Sequence, residues 1–382
     1  MTTAAVIFCD PTSGSHSVAG LSVLDRLVVA LHRAGCAPIT IVGSPEPRSL
    51  ERSRALDIAT TIASEPPELD GQRLVANSNV LVTVGDVQAL LAQALLARGG
   101  RLASRQGELL PIGVAVDALE AGASPNDMLR SAPAVPARSV AVLVDSSQQA
   151  REAERDLWAS LESTLDGFVD KYFNRPLARP MSKVLVHTPV TPNQVSVVSL
   201  TLGFVAVAVF CRGTYLDFVV GAAIFQVSTI LDCLDGDLAR AVFKESRLGK
   251  WLDIIGDQVV HAALFVGIAY GVHRAGSDAP VLLLGASAAI GVALSFALVL
   301  RIRLRTTGQN GRLSRLIDAT TNRDFSVAVI GFAVIGRMDL LVWAAGIGVH
   351  FFWVLVLLVQ HLDSAHRKKG AGVMRRTPES QP

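Results

Sequence analysis

Four aspartates, Asp232, Asp235, Asp253 and Asp257, sit at helical spacing inside sequence that is otherwise as apolar as a membrane span. Ionisable side chains in such a setting are expensive to keep and mark function. On two helices joined by a short polar turn, Asp232 and Asp235 (i, i+3) share one face of the first, and Asp253 and Asp257 (i, i+4) share one face of the second. Four converging carboxylates repel one another unless a cation lies between them, and hard oxygen ligands suit a divalent ion, Mg²⁺ or Mn²⁺. An ion held there would neutralise a phosphate-bearing ligand. Gly236 and Ala239, one turn apart, remove side-chain bulk beside the carboxylates. Arg240 suits a phosphate or the membrane surface, and Gly249 would let the second helix start close to the first.

Written out, the run is Asp232-x2-Asp235-Gly236-x2-Ala239-Arg240-x8-Gly249-x3-Asp253-x3-Asp257. It resembles the motif of the CDP-alcohol phosphotransferase (CDP-alcohol phosphatidyltransferase) family at every specified position. The segment T-P-V-T-P-N-Q-V-S-V-V-S-L, Thr188 to Leu200, is similar to that family's entry into the membrane, and the resemblance covers about residues 170–362. It implies attack of an acceptor alcohol on the β-phosphorus of a CDP-alcohol donor, with release of CMP. It also implies that Asp232, Asp235 and Asp253 are metal ligands, that Asp257 is both the base and a metal contact, and that the protein is a homodimer. Asp237 occupies an unspecified position on another helix face and is left out of the site. Two other readings stay open: a solvated helix-loop-helix pairing the aspartates with Arg240, Lys244, Arg247 and Lys250, and a divalent cation transporter.

The elements that must carry this site are membrane helices. The chain has 382 residues, 50% of them hydrophobic and 18% charged, which is more apolar than a soluble enzyme. Apolar segments recur at about 195–211, 215–242, 251–273, 280–300, 325–342 and 340–361, the fifth interrupted by Arg337 and Asp339. Basic residues collect in alternate loops: Arg240, Lys244, Arg247 and Lys250, then Arg301, Arg303, Arg305, Arg312, Arg315 and Arg323, then Arg367, Lys368, Lys369, Arg375 and Arg376. That alternation predicts about six transmembrane helices in a multi-pass inner (cell) membrane protein, with the N-terminal domain and the aspartates on the cytoplasmic side. A net charge of +2 gives no footing for nucleic acid. Cys9, Cys36, Cys211 and Cys233 show no metal or disulfide spacing and are read as packing residues. The first residues lack the pattern of a signal peptide, which predicts a chain beginning in the cytoplasm.

Residues 1–145 predict a soluble α/β domain with strands at Ala4–Phe8, Pro38–Val42 and Val80–Val84, a helix at Leu21–Arg33, and a parallel sheet covered on both faces. Val18 to Val42, following a strand and the loop Asp10 to Gly20, resembles the opening of sugar-nucleotide nucleotidyltransferase domains. That family holds a triphosphate with basic residues in this loop, whereas this chain has none before Arg26. Gly85-Asp86 stands where the family keeps a metal-binding aspartate. The domain is read as nucleotidyltransferase-like (Rossmann-like), with three readings open: a fold kept without cytidylyltransferase activity, an active or differently specific transferase, and a binding or regulatory module. Val140 to Val144 is expected as a last strand and Ser146 to Asp170 as an exposed helix.

Residues 146–190 are expected as a linker and an interfacial amphipathic helix, in which Lys171, Arg175, Arg179 and Lys183 alternate with Phe173, Leu177, Met181 and Leu185. Residues 191–362 form the membrane domain and 363–382 a basic tail. A nucleotidyltransferase-like domain ahead of a CDP-alcohol phosphotransferase is similar to bifunctional inositol-phosphate cytidylyltransferase/di-myo-inositol-phosphate phosphate synthase proteins, as is Asn322-Arg323-Asp324-Phe325. This implies a polar alcohol phosphate such as inositol phosphate as substrate, with Arg301 and Arg303 among the groups holding its phosphate. The alternative is phospholipid biosynthesis from CDP-diacylglycerol, with membrane lipid as partner.

Overall fold

The computed structural model describes residues 3–9, 16–67, 71–97, 99–115, 123–161, 167–305 and 325–374, with only the backbone at 303–305, 360 and 362–374. The chain divides into two compact units. One comprises Met1–Glu162, Val186–Thr188 and Arg240–Lys244, and the other Ser163–Leu185, Pro189–Ala239 and Glu245–Pro382.

The first unit is built on strands β1 (Thr3–Phe8), β2 (Ser17–Val18), β3 (Leu21–Ser22), β4 (Cys36–Val42), β5 (Thr60–Ala63), β6 (Arg73–Asn77), β7 (Val80–Val82), β8 (Gly100–Ala103), β9 (Leu109–Ala115), β10 (Ala134–Pro136) and β11 (Ala141–Leu143). Helices α1 (Val23–Arg33), α2 (Glu51–Ala55), α3 (Val84–Ala97), α4 (Pro125–Met128) and α5 (Ser147–Ser160) connect and cover them. The main sheet has the order β10-β8-β9-β6-β1-β4-β5. Ile7 of β1, Ile39 and Ile41 of β4 and Leu74 of β6 are buried on one face of it with Leu24, Leu27, Val28 and Leu31 of α1, and Val6 is buried on the other with Val75 and Leu129.

The sheet is mixed and not wholly parallel, because β9 runs antiparallel to both β6 and β8. The five residues between β8 and β9 close a hairpin through Gly107 (φ +87°), and a connection that short joins only antiparallel strands. The expected third strand, β7, leaves this sheet and pairs antiparallel with β11, which lies within the expected last strand. Only Ser78 and Asn79 separate β6 from β7, too few for a crossover to a parallel neighbour. Helix α5 is not exposed along its length. Ala150, Ala153, Leu157 and Trp158 bury one face against Val18, Val23, Leu81, Val140 and Val144, which places α5 in the first unit.

The second unit begins with a π-helical turn over Asp170–Asn174 that runs into α6 (Arg175–Leu185). There follow α7 (Pro192–Phe210), α8 (Tyr215–Ala241), α9 (Arg247–Arg274), α10 (Val281–Arg305), α11 (Phe325–Ile335) and α12 (Met338–Met374). Among the described residues, five helices are long and apolar enough to cross a membrane: α7, α8, α9, α10 and α12. The expected fifth segment is cut short. Gly336 turns the chain with φ +73°, and Arg337 forms a two-point ion pair with Asp339 at 3.0 Å, leaving α11 with 11 residues. That is about 16 Å of helix against a hydrocarbon core of about 30 Å.

Glycines let α7 and α9 approach closely. A β-carbon at Gly203 would stand 2.7 Å from Val260, one at Gly256 2.6 Å from Leu200, and one at Gly267 2.9 Å from Val207. Serines clasp α7 to α8, as Ser199 Oγ donates to the Ser228 carbonyl and Ser228 Oγ to the Ser199 carbonyl, each at 2.8 Å.

Candidate metal and phosphate site in the helical unit

Helix α8 delivers Asp232 and Asp235 in its second half, and α9 delivers Asp253 and Asp257 in its first half. Between them Ser246 caps α9, its hydroxyl accepting the Gly249 N–H at 2.9 Å, so the two helices are joined by a short turn as the spacing required. Carboxylate oxygens of Asp232, Asp235 and Asp253 all lie within 4.8 Å of one another. Oxygens bound to one octahedral ion at about 2.1 Å stand about 3 to 4 Å apart, so the three aspartates close on a divalent cation with little movement. Asp232 and Asp235 are buried, and three buried or half-buried carboxylates this close repel one another, a repulsion that a cation among them would relieve. The donor set, all hard oxygens, fits Mg²⁺ or Mn²⁺.

Asp257 stands one turn beyond Asp253 and lines the same cleft as Asp232, between α7, α8 and α9, together with Ser199, Phe225, Ser228, Thr229 and His261. The charges that bear on Asp257 are those of Asp253, Asp235 and Asp170. Gly236 and Ala239 are half-buried on the turn of α8 after the aspartates, and Arg240 is half-buried at its end.

Gly249 acts differently from expectation. A β-carbon there would meet Asn193 Oδ1 at 2.5 Å, so the glycine admits the start of α7 and its constraint is not set by α8. Arg301 is exposed near the end of α10 and is not among the residues lining the cleft. The side chains of Arg303 and Arg305 lie outside the described residues, as do Arg312, Arg315, the Asn322–Asp324 segment, and the tail cations Arg367, Lys368, Lys369, Arg375 and Arg376.

Sequence reasoning missed several contributors. Ser196, in the second turn of α7, donates its hydroxyl to Asp235 Oδ2. Asp237, set aside as lying on another face, forms a buried ion pair with Arg175 at 2.5 Å. Asp170 is buried beside them. The signal for Ser196 was present in the Thr188–Leu200 segment, but nothing in the spacing linked residue 175 to residue 237.

In the first unit, the groups that could serve a nucleotide are engaged in structure. Arg26 is fully buried and donates Nε to the Val18 carbonyl at 2.7 Å and Nη2 to the Ala19 carbonyl at 2.9 Å, while burial draws its pKa down to about 10. Asp86 is not at the tip of a sheet strand but buried in the first turn of α3. Its Oδ1 accepts the N–H groups of Arg138 and Ser139 at 2.7 and 2.9 Å, and its Oδ2 accepts the Thr83 hydroxyl at 2.6 Å. Residues 10–15 of the expected phosphate loop lie outside the described residues.

The helical unit thus combines five helices long and apolar enough to cross a membrane with three aspartates, drawn from two consecutive helices, whose oxygens could hold a divalent ion. Residues 189–317, within the helical region, match the CDP-alcohol phosphatidyltransferase family profile. The chain is 35% identical over 128 residues to the "Bifunctional IPC transferase and DIPP synthase" of Thermococcus kodakarensis, a match covering 33% of this chain and 28% of that protein. It is 27% identical over 176 residues to the "Phosphatidylinositol phosphate synthase" of Corynebacterium glutamicum, covering 45% of this chain and 78% of the relative. The match therefore spans less than a third of the first relative's length. Among solved structures, Mycobacterium tuberculosis phosphatidylinositol phosphate synthase with CDP-DAG bound aligns with 47% of this chain and 94% of its own, at 18% identity and a TM-score of 0.32.

Proposed function

We propose that this chain is an integral-membrane, divalent-metal-dependent CDP-alcohol phosphotransferase. The observation that carries the reading is the meeting of Asp232, Asp235 and Asp253 oxygens within 4.8 Å, with Asp257 lining the adjoining cleft. When bound, Mg²⁺ or Mn²⁺ supplies charge neutralisation for a diphosphate. Asp232, Asp235 and Asp253 hold the ion, and Ser196 fixes the carboxylate of Asp235. Asp257 takes the proton from the acceptor hydroxyl as its oxygen bonds to the β-phosphorus of the donor. The bond from that phosphorus to the bridging oxygen breaks, and CMP leaves with the electron pair. Gly236 and Ala239 leave room for the nucleotide beside the backbone, with Arg240 at the phosphate end.

The acceptor or donor alcohol is a polar alcohol phosphate such as inositol phosphate. Support comes from the similarity to the Thermococcus protein and from "phosphatidylinositol phosphate" in the name of the Corynebacterium relative. A second reading, CDP-diacylglycerol as donor in phospholipid synthesis, is favoured by the coverage of that latter relative. The site lies on the cytoplasmic side, where a water-soluble nucleotide reaches it, a reading supported by the alternation of positive loops in the sequence. The apolar and basic faces of α6 rest on the anionic leaflet, with Phe173, Leu177 and Met181 exposed alongside Lys171 and Lys183. Arg301 and Arg303 serve the acceptor phosphate at that surface, and two copies associate as a homodimer.

The test is CMP release by purified protein over a matrix of CDP-activated donors and alcohol acceptors. Release that requires inositol phosphate and a polar donor supports the first reading, and release with CDP-diacylglycerol the second. Mn²⁺ uptake into sealed vesicles with no CMP formed under any pairing would overturn both in favour of a transporter.

A further inference from the structure

We infer that Arg175 and Asp237, with Asn174, are positioning residues that fix the rotation of α8 and thereby aim Asp232 and Asp235 at the metal site, resting on the metal reading proposed above. On α8, Gln226, Cys233 and Asp237 follow one another by seven and four residues, which places all three within about 40° around the helix. Asp232 and Asp235 lie about 120° and 180° away from Gln226. The helix thus has a polar stripe on one side and the metal carboxylates on the other.

Each member of that stripe is bonded to the segment 170–175. Gln226 Nε2 donates to Asn174 Oδ1 at 2.6 Å, and Asn174 Nδ2 donates to Asp170 Oδ1 at 2.7 Å. Cys233 Sγ donates to the same Asp170 oxygen at 3.7 Å. Arg175 Nη1 pairs with Asp237 Oδ1 at 2.5 Å, the two side chains only 7% and 1% exposed. Asn174 is fully buried.

Apolar contacts between helices tolerate sliding and rotation, whereas hydrogen bonds and a buried ion pair are directional and leave costly unpaired groups when broken. A buried ion pair gives little net stability over a well-packed apolar pair of the same volume. Its use here points to geometry: α8 is held from behind by 170–175 and from the front by Ser196 on Asp235. The π turn over Asp170–Asn174 brings Asp170, Asn174 and Arg175 to one buried side, and Ala178 and Ser182 continue that side along α6.

The experiment uses the purified full-length protein in detergent. Mn²⁺ is titrated and the free ion followed by electron paramagnetic resonance, alongside thermal melting and the kinetics of CMP release. Arg175→Met combined with Asp237→Leu removes both charges and keeps the volume. We expect a melting temperature close to wild type, an Mn²⁺ Kd raised about tenfold, and kcat lowered about tenfold with KM for the donor nearly unchanged, the scale seen when groups supporting metal ligands are lost. Asn174→Leu breaks the same stripe at Gln226, about three turns from Asp237 along α8, and should raise the Mn²⁺ Kd in the same direction, so the test stands even if the double variant does not fold. Lys183→Gln, on the exposed side of α6, should leave the Kd unchanged. A folded double variant with wild-type Mn²⁺ affinity and kcat would show that the pair serves the fold alone and overturn the inference. Absence of Mn²⁺ binding by the wild-type protein would instead overturn the metal reading, and this inference with it.

Discussion

Asp257 is the residue on which the proposed chemistry turns. Asp257→Asn keeps the shape of the side chain and removes its ability to take a proton, so CMP release should fall by at least about 10²-fold while the protein still folds and inserts. Near-normal release by this variant would remove the assigned base. Asp232, Asp235 and Asp253 make a different demand: chelation should abolish activity, and Mg²⁺ or Mn²⁺ should restore it, measured as CMP release before and after metal addition. These four positions were legible in the sequence because carboxylates at i, i+3 and i, i+4 in apolar helices have few structural excuses. Asp237 was not legible in the same way. Its partner Arg175 lies sixty-two positions away, and no helical period connects them.

The site depends on how closely α7, α8 and α9 approach. Leu200 would be struck by any side chain at Gly256, between Asp253 and Asp257, and Val260 by one at Gly203. Gly256→Val should therefore cost about 1 to 3 kcal/mol through overpacking and should spread the aspartates. Circular-dichroism melting together with Mn²⁺ affinity checks this; an unchanged melting curve would mean that the helices accommodate the side chain elsewhere. The boundaries of these helices were visible in hydropathy and capping residues, Thr191 and Ser246 among them. Their spacing was not, because Gly203 and Gly256 read as ordinary membrane glycines until Val260 and Leu200 are placed opposite. The interruption of the fifth apolar segment by Arg337 and Asp339 was visible in the sequence, and the turn at Gly336 and the pairing of those two charges set where α11 ends.

At the scale of the whole chain, a helical unit that matches the CDP-alcohol phosphatidyltransferase family follows an α/β unit whose Arg26 and Asp86 are committed to its own backbone. Arg26 holds the β2–β3 hairpin and Asp86 holds Arg138 and Ser139, so neither is available to a nucleotide triphosphate. The full-length protein given CTP and inositol phosphate should therefore release no pyrophosphate; clear release would restore a catalytic role to the first unit. Arg26→Met should destabilise the unit, because the carbonyls of Val18 and Ala19 lose their buried donor, a cost of about 1 to 3 kcal/mol visible in melting.

By itself the sequence determined the presence of membrane helices, an α/β unit before them, and the identity of the four aspartates, since hydropathy and helical period are local properties of a chain. The tertiary structure decided what is non-local. It set β9 antiparallel within the sheet, sent β7 to pair with β11, brought Ser196 to Asp235, and turned Arg175 and Asp237 from unrelated charges into a buried pair on the other side of α8 from Asp232 and Asp235. Each of these joins residues far apart in the chain, and the packing of whole elements, not the pattern within any one of them, selects which partners meet.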